Sequence, residues 1–161
     1  MAPIQEAILP LLQGNPSGAV FFRPLRDDED IWFATEGCIL SPEQKEFVNS
    51  GGFSLGRAYL HPQDHFPCII CGRQGAPVGF LLFNRWPGHY SWSYFIDLRQ
   101  QGKGYGTAAA QLALEILKEA FPGGQIRLSV EVSNRNAQAL YRRLGFHQLD
   151  ELDGDDLVFG L

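Results

Sequence analysis

Residues 95–146 read FIDLRQQGKGYGTAAAQLALEILKEAFPGGQIRLSVEVSNRNAQALYRRLGF. From residue 104 the apolar side chains recur with the helical period, until Pro122-Gly123-Gly124 ends the pattern. Apolar and polar residues then alternate over 126–132, which predicts a strand with one buried face. A short helix is predicted over 136–144. Because a further strand ends just before the long helix, this stretch predicts a strand-helix-strand crossover.

The chain on either side of this stretch favours short strands joined by turns. Before the crossover, strands are predicted at 19–25, 67–71, 77–83 and 90–97, and the spacing of the last three predicts antiparallel neighbours. After it, 146–161 predicts a hairpin that turns at Asp153-Gly154. The predicted fold class is therefore α+β, a mixed-sheet α/β domain.

Two helix starts are predicted between the first and second strands. Asp27 is typical of an N-cap for a helix that extends to Cys38, because its side chain accepts from the free amides of the first turn. Ser41 is followed by Pro42 and, three residues on, by Gln44, which predicts a capping box.

Length and composition limit the organisation and the partners. The chain has 161 residues, 45% of them hydrophobic, which suits one domain over 19–161 after a loosely structured lead-in over 1–18 that holds one short helix. No apolar run reaches the roughly 18 residues of a membrane span. The net charge of −5 disfavours nucleic acid as a partner. Three cysteines and no targeting signal indicate free thiols and a cytoplasmic protein.

The glycine-rich turn over 101–107 is a candidate anion site. Its backbone amides and the positive end of the helix dipole suit a pyrophosphate, and alternating glycines let such a ligand approach the backbone. A tight turn with no ligand remains an alternative at this point. The turn is not a dinucleotide-binding motif, since only one crossover is predicted, and Lys103 lacks the neighbours of a Walker motif.

A second motif follows the predicted strand at 126–132. The first motif consists of Gln101, Gly104 and Gly106, and the second of Asn134, Ala137, Leu140, Tyr141, Arg143, Gly145 and Phe146. With both motifs, about thirty residues apart, residues 19–161 resemble the GCN5-related N-acetyltransferases (GNAT). The resemblance implies a central, mostly antiparallel twisted sheet, flanked by helices and splayed between its fourth and fifth strands.

The resemblance also implies acetyl-CoA as co-substrate and an active site in the splay. The residues implied to bind acetyl-CoA are Phe95, Ile96, Asp97, Gln101, Gly102, Lys103, Gly104, Tyr105, Gly106, Thr107, Asn134, Ala137, Tyr141 and Arg143. Tyr141 is implied to be the general acid that protonates the leaving CoA thiolate. The alternative interpretation is that Tyr141 only packs against the helix predicted at 136–144. Glu36 and Glu131, with Asp97 as a further candidate, are the carboxylates considered for the general base.

The implied acceptor is a primary amine of a small molecule. Segments at 41–48, 77–80, 95–106 and 149–159 resemble bacterial spermine/spermidine acetyltransferases, which favours a polyamine. The acidic residues near the predicted hairpin turn would attract a polycation, or form a solvated hairpin tip: Asp150, Glu151, Asp153, Asp155 and Asp156. One departure is the segment 90–94, which lacks the charged residue that such enzymes tend to carry.

The residues also allow two other interpretations. A CoA-binding sensor or interaction domain without catalysis is the main alternative. A zinc module is suggested by His61, His65, Cys68 and Cys71, but positions three apart on a strand face opposite ways, so we predict no metal site. The family often dimerises, so the resemblance is compatible with a homodimer.

Overall fold

The computed structural model describes residues 1–12 and 18–161. Its helices are α1 (Ile4–Ile8), α2 (Asp28–Trp32), α3 (Pro42–Phe47), α4 (Gly51–Leu60), α5 (Tyr105–Ala120) and α6 (Arg135–Arg143). Its strands are β1 (Val20–Pro24), β2 (His65–Gly72), β3 (Pro77–Trp86), β4 (His89–Ile96), β5 (Arg127–Val130), β6 (His147–Asp153) and β7 (Asp156–Gly160). The predicted α+β class is confirmed.

Four strands form an antiparallel meander in the order β1-β2-β3-β4. The predicted antiparallel pairing of the central strands is confirmed, although β2 and β3 extend further than the apolar runs that predicted them. Strand β3 continues to Trp86 because Asn84 and Arg85 remain paired with β4. Polar residues thus continue a strand whose backbone hydrogen bonds are supplied by its neighbour.

The remaining strands form a second sheet in the order β5-β7-β6. The C-terminal hairpin is confirmed, with Asp153 paired to Asp156, so the two-residue turn is Gly154-Asp155 and lies one position later than predicted. Gly154 has φ of 60°, which suits such a turn. The last strand lies between the other two, an order that short-range patterns do not predict.

The two sheets meet at one end and separate at the other. Tyr90 and Ile126 form an isolated parallel bridge at the start of β4 and β5, and the Tyr90 amide donates to the Gln125 carbonyl at 2.8 Å. Beyond this bridge β5 pairs with β7 instead of β4. The fourth and fifth strands therefore diverge toward their carboxyl ends, as the family resemblance implied, and α5 begins at the open end.

The two predicted helix caps are present. Asp27 accepts from the Asp30 amide at 3.0 Å, and the helix that it caps changes at Phe33 into a π-helical turn, Phe33–Gly37. Ser41 and Gln44 form the reciprocal capping box of α3. Helix α4 has no counterpart in the predictions, because its sequence opens with two glycines and contains a third.

The N-terminal segment packs more closely than the predicted lead-in. Residues 4–8 are α-helical and Leu9–Leu12 forms a 3₁₀ turn, while residues 13–17 of the predicted lead-in lie outside the described residues. Ile4 and Ile8 are fully buried in the main apolar core with residues of β1 to β5, α5 and α6. The short helix expected in the lead-in is present, and it packs closely because its two isoleucines, four residues apart, share one face.

None of the helices in the described ranges combines the length and the apolar character that crossing a membrane requires.

Candidate active site

The glycine-rich turn lies at the open end of the split between β4 and β5. Gly102 and Gly104 have φ of 77° and 85°, in the left-handed region that favours glycine. Apart from each glycine and its two chain neighbours, no described residue has an atom within 4 Å of the position that a Cβ would occupy at Gly102 or Gly104. The backbone is therefore open on the outer side of the turn, where a ligand can approach it.

The amides of this turn are available to a ligand. The first hydrogen bond into α5 runs from the Ala108 amide to the Gly104 carbonyl, at 3.1 Å, and no side chain of the described residues caps the helix. In the described part of the chain, the amides of residues 102–107 donate to no other group. Several free donors at the positive end of a 16-residue helix suit an anion such as a diphosphate.

Strand β4 presents a backbone carbonyl to the split. The Asp97 amide donates to Val78 of β3 at 2.8 Å, so the preceding residue, Ile96, directs its polar groups away from β3 by the alternation of an antiparallel strand. The Ile96 carbonyl accepts from the side-chain amides of Gln101, at 3.2 Å, and Gln44, at 3.0 Å. Two glutamines from different elements thus meet at the end of β4.

Tyr141 lies on the inner face of α6, and 9% of the residue is exposed. Its ring contacts Trp92 edge-on, with centroids 6.1 Å apart, and Phe146, with centroids 6.0 Å apart. Burial raises the pKa of the Tyr141 hydroxyl to about 12. A phenol held in its protonated form can donate a proton over the whole physiological pH range.

Two residues of β4 that sequence reasoning did not select also face this region. Trp92 is buried, and its indole Nε1 has no hydrogen-bond partner among the described residues. The Tyr94 hydroxyl donates to the Gly106 carbonyl at 3.0 Å, and burial raises its pKa strongly, with Tyr141 as a smaller cause. The alternation of side chains on β4 places positions 92, 94 and 96 on one face, and this was the signal available in the sequence.

Other predicted site residues have structural partners. Asn134 caps α6, since its side-chain oxygen accepts from the Ala137 amide at 3.2 Å. Phe95 points to the opposite face of β4 and stacks on Phe80, with ring centroids 5.5 Å apart. Of the other residues implied to bind acetyl-CoA, Tyr105 and Ala137 are half-buried. Those that are exposed include Gln101, Lys103, Thr107 and Arg143.

The buried carboxylate of Asp97 is bound by Arg99. The Arg99 guanidinium and its backbone amide both donate to Asp97 Oδ1 at 3.0 Å, and these contacts hold the pKa of that carboxyl below its usual value despite burial. Arg99 also donates to the Gly37 carbonyl at 2.9 Å. Asp97 therefore ties the end of β4 to the π-helical turn.

An acidic groove opens beside the end of β5. It has a volume of about 690 Å³, and its lining residues are Glu131, Val132, Ser133, Arg135, Asp155 and Asp156. The pKa of Asp156 is raised, mainly by burial and also by Glu131, Asp153 and Asp155. The predicted base Glu131 thus lies in a negative groove. Glu36 is exposed on the π-helical turn and does not line it.

The four residues considered for zinc do not form a cluster. Cys68 and Cys71 lie in different apolar clusters, and His65 binds the Asn84 side chain at 2.7 Å. Within residues 1–12 and 18–161, no three His, Cys, Asp or Glu side chains are arranged to hold a metal ion.

Half of this chain is similar in sequence to a bacterial acetyltransferase. Spermine/spermidine N(1)-acetyltransferase of Bacillus subtilis (strain 168) is 34% identical over 89 residues, which is 50% of this chain. The match spans 59% of that relative's own length.

Solved structures share the fold at low sequence identity. Spermidine N-acetyltransferase from Vibrio cholerae, in complex with CoA and spermine, superposes with a TM-score of 0.66 at 18% identity, over 88% of this chain and 93% of that chain. Mycobacterium smegmatis RimJ, in complex with CoA-disulfide, superposes with a TM-score of 0.69 at 19% identity, over 91% of this chain and 83% of that chain.

A family model described as the acetyltransferase (GNAT) family matches residues 36–146. This range runs from the π-helical turn to Phe146 and includes β2, β3 and β4 of the meander, the glycine-rich turn, the split between β4 and β5, and Tyr141. Because the match covers more than half of the chain, including the glycine-rich turn, both strands of the split and Tyr141, the chain belongs to the acetyltransferase (GNAT) family.

Proposed function

We propose that this chain is an acetyl-CoA-dependent N-acetyltransferase that transfers an acetyl group to a primary amine of a small molecule. The observation that carries the proposal is the row of free amides over residues 102–107 at the open end of the split. Acetyl-CoA contains a diphosphate that these amides would bind and supplies the acetyl group as a thioester. The turn and the split together suit a ligand with an anionic group and a long arm.

The split between β4 and β5 is the proposed place of the pantetheine arm. Its polar groups would meet the backbone of residues 95–97, at the carboxyl end of β4. Asn134 would donate from its side-chain nitrogen, since its oxygen already caps α6. Binding of the arm would also bring the thioester toward the aromatic residues on this face of β4.

Tyr141 is the proposed general acid. It would give its phenolic proton to the CoA sulfur as the carbon–sulfur bond breaks, so that the leaving group departs as a thiol. Its high pKa keeps the proton available until that step. The neighbouring rings of Trp92 and Phe146 hold the phenol in one place and limit its contact with water.

The attacking amine has to be neutral, because a protonated ammonium has no lone pair. We propose that Glu131 removes the proton through water, since this carboxylate lines the groove and accepts from the Ser133 hydroxyl at 3.2 Å. The negative groove would attract a cationic acceptor in its ammonium form. Proton removal by Glu131 would then produce the neutral amine in the groove.

We propose a polyamine as the acceptor. The support is the acidic lining of the groove, with Glu131, Asp155 and Asp156, and the names of the relatives, which include enzymes that act on spermine and spermidine. A chain of amines separated by methylene groups carries several positive charges, and a groove with several carboxylates complements it.

The test is thiol release from acetyl-CoA over a panel of spermidine, spermine, aminoglycosides and amino-acid amines, after calorimetry with CoA and acetyl-CoA. We expect binding of both ligands and saturable release with polyamines. Saturation only by other amines would remove the polyamine, while binding without release for any amine would favour a sensor. A lack of CoA binding would overturn the whole proposal.

A further inference from the structure

The glycine-rich turn has few contacts that hold its shape. Gly102 and Gly104 have positive φ angles, and no side chain of the described residues caps α5, so side chains of the turn add little to its local restraint. Among the residues that the structure describes, the Lys103 side chain donates only to Gln100 Oε1, at 3.0 Å on the surface. A turn of this kind must be held by another element if its amides are to point at one ligand group.

Strand β4 holds the turn at both ends. At the start of the turn, Gln101 donates to the Ile96 carbonyl. At the first turn of α5, the Tyr94 hydroxyl donates to the Gly106 carbonyl at 3.0 Å. A Cβ at Gly106 would lie 3.8 Å from Ile96 Cγ1 and 4.0 Å from the Tyr94 hydroxyl, so the helix start rests directly on β4.

The second of these contacts acts on the part of the turn that faces the proposed diphosphate. Gly106 lies among the residues with free amides, and its peptide plane fixes the direction of the next amide, that of Thr107. The hydroxyl that holds this plane belongs to a half-buried ring, which limits competition from water. Removing the hydroxyl would leave the ring packed and the carbonyl without this donor.

We propose that Tyr94 is a positioning residue, whose hydroxyl orients the first turn of α5 so that the amides of residues 104–107 converge on the diphosphate of CoA. The inference rests on the proposed function and adds to it a residue outside both sequence motifs. Tyr94 acts through the backbone and needs no contact with the ligand. Its effect should therefore be confined to ligands that carry the diphosphate.

The experiment measures the Kd of CoA, 3′-dephospho-CoA and pantetheine for the wild type and for Tyr94→Phe, by calorimetry with displacement for weak ligands. Pantetheine lacks the diphosphate, and dephospho-CoA keeps it. We expect CoA and dephospho-CoA to bind about three- to tenfold more weakly to the variant, the range that loss of one net hydrogen bond produces. Pantetheine should bind equally to both proteins.

The deciding quantity is the ratio of the pantetheine Kd to the CoA Kd, which does not depend on the fraction of protein that is folded. Tyr90→Phe is the matched control, because it removes the same oxygen from the same strand at the closed end of the split. Its ratio should equal that of the wild type. An unchanged ratio in Tyr94→Phe, whether both ligands weaken or neither does, would overturn the positioning role.

The outcomes separate this inference from the proposed function. A wild-type protein that binds no CoA refutes the proposed function, and the role of Tyr94 falls with it. A wild type that binds CoA and discriminates against pantetheine, together with a variant that discriminates equally well, refutes the role of Tyr94 alone.

Discussion

At the scale of single residues, two glycines of the same turn are expected to differ in their tolerance of alanine. Gly104 has φ of 85°, so an alanine there would be strained by about 1–2 kcal/mol even though the space is open. Gly106 is helical, and a Cβ there would make ordinary contacts at 3.8 Å or more. Urea denaturation should show a lower free energy of unfolding for Gly104→Ala and no loss for Gly106→Ala. Equal losses would contradict the assignment of strain to residue 104.

Tyr141 gives a second prediction at this scale. With general acid catalysis removed, Tyr141→Phe should lower kcat about 100-fold at saturating acetyl-CoA, while the Kd of CoA stays close to the wild-type value. Because burial raises the pKa to about 12, the acid form persists, and kcat of the wild type should not fall between about pH 8 and 10 through this group. Thiol release measures both effects. Tyr59→Phe is the control, because Tyr59 is 84% exposed. An unaltered kcat in Tyr141→Phe would mean that Tyr141 is a packing residue and not the general acid.

At the scale of elements, an ion pair joins the first strand to α2. Arg23 of β1 donates to Asp30 through two nitrogens, at 2.6 and 2.9 Å, and the Arg26 amide donates to the same carboxylate at 3.0 Å. Asp30→Asn would leave a half-buried guanidinium unpaired, so we expect a loss of about 3 kcal/mol in the free energy of unfolding. Asp28→Asn, exposed on the same helix, should cost little.

The same pair makes a pH prediction. Hydrogen bonds from Arg23 lower the pKa of Asp30, with a smaller opposing effect of burial. A folded-state pKa below the unfolded value stabilises the protein above the unfolded pKa, and this contribution is lost as pH falls through the folded pKa. The difference in unfolding free energy between wild type and Asp30→Asn should therefore shrink below about pH 4. A constant difference down to pH 2 would argue against the ion pair as its source.

At the scale of the whole molecule, the N-terminal helix completes the core. Ile8 is fully buried, the Ile4 amide donates to the Gln63 carbonyl at 2.9 Å, and Arg85 binds the Ala2 carbonyl at 2.9 Å. Ile8→Ala should cost about 2–5 kcal/mol of unfolding free energy, and Leu9→Ala, where the side chain is 40% exposed, less than about 1 kcal/mol. Urea denaturation measures both, and a small cost at Ile8 would mean that the segment is dispensable.

Much of the fold was accessible from the sequence because its signals are local. The capping box at Ser41 and Gln44 spans three residues, the stripe of α5 repeats every three or four, and β5 alternates every two. Helix α4 was not predicted from the sequence, and the reason is a tertiary contact. A Cβ at its first residue, Gly51, would lie 1.8 Å from the Ala34 carbonyl oxygen, so the glycine that weakens the helical signal is required by the helix crossing.

The sequence by itself determined the order of the elements other than α4 and the open glycine-rich turn, since each depends on neighbours within a few residues, and its motif singled out Tyr141 through the family resemblance. Tertiary structure alone decided which residues meet in the split. Tyr94 contacts Gly106 across a loop and a helix start, Gln44 reaches Ile96 from 52 positions away, and β7 inserts between β5 and β6. The physical reason is that such contacts become favourable only when several elements pack together, so no single segment carries their signal.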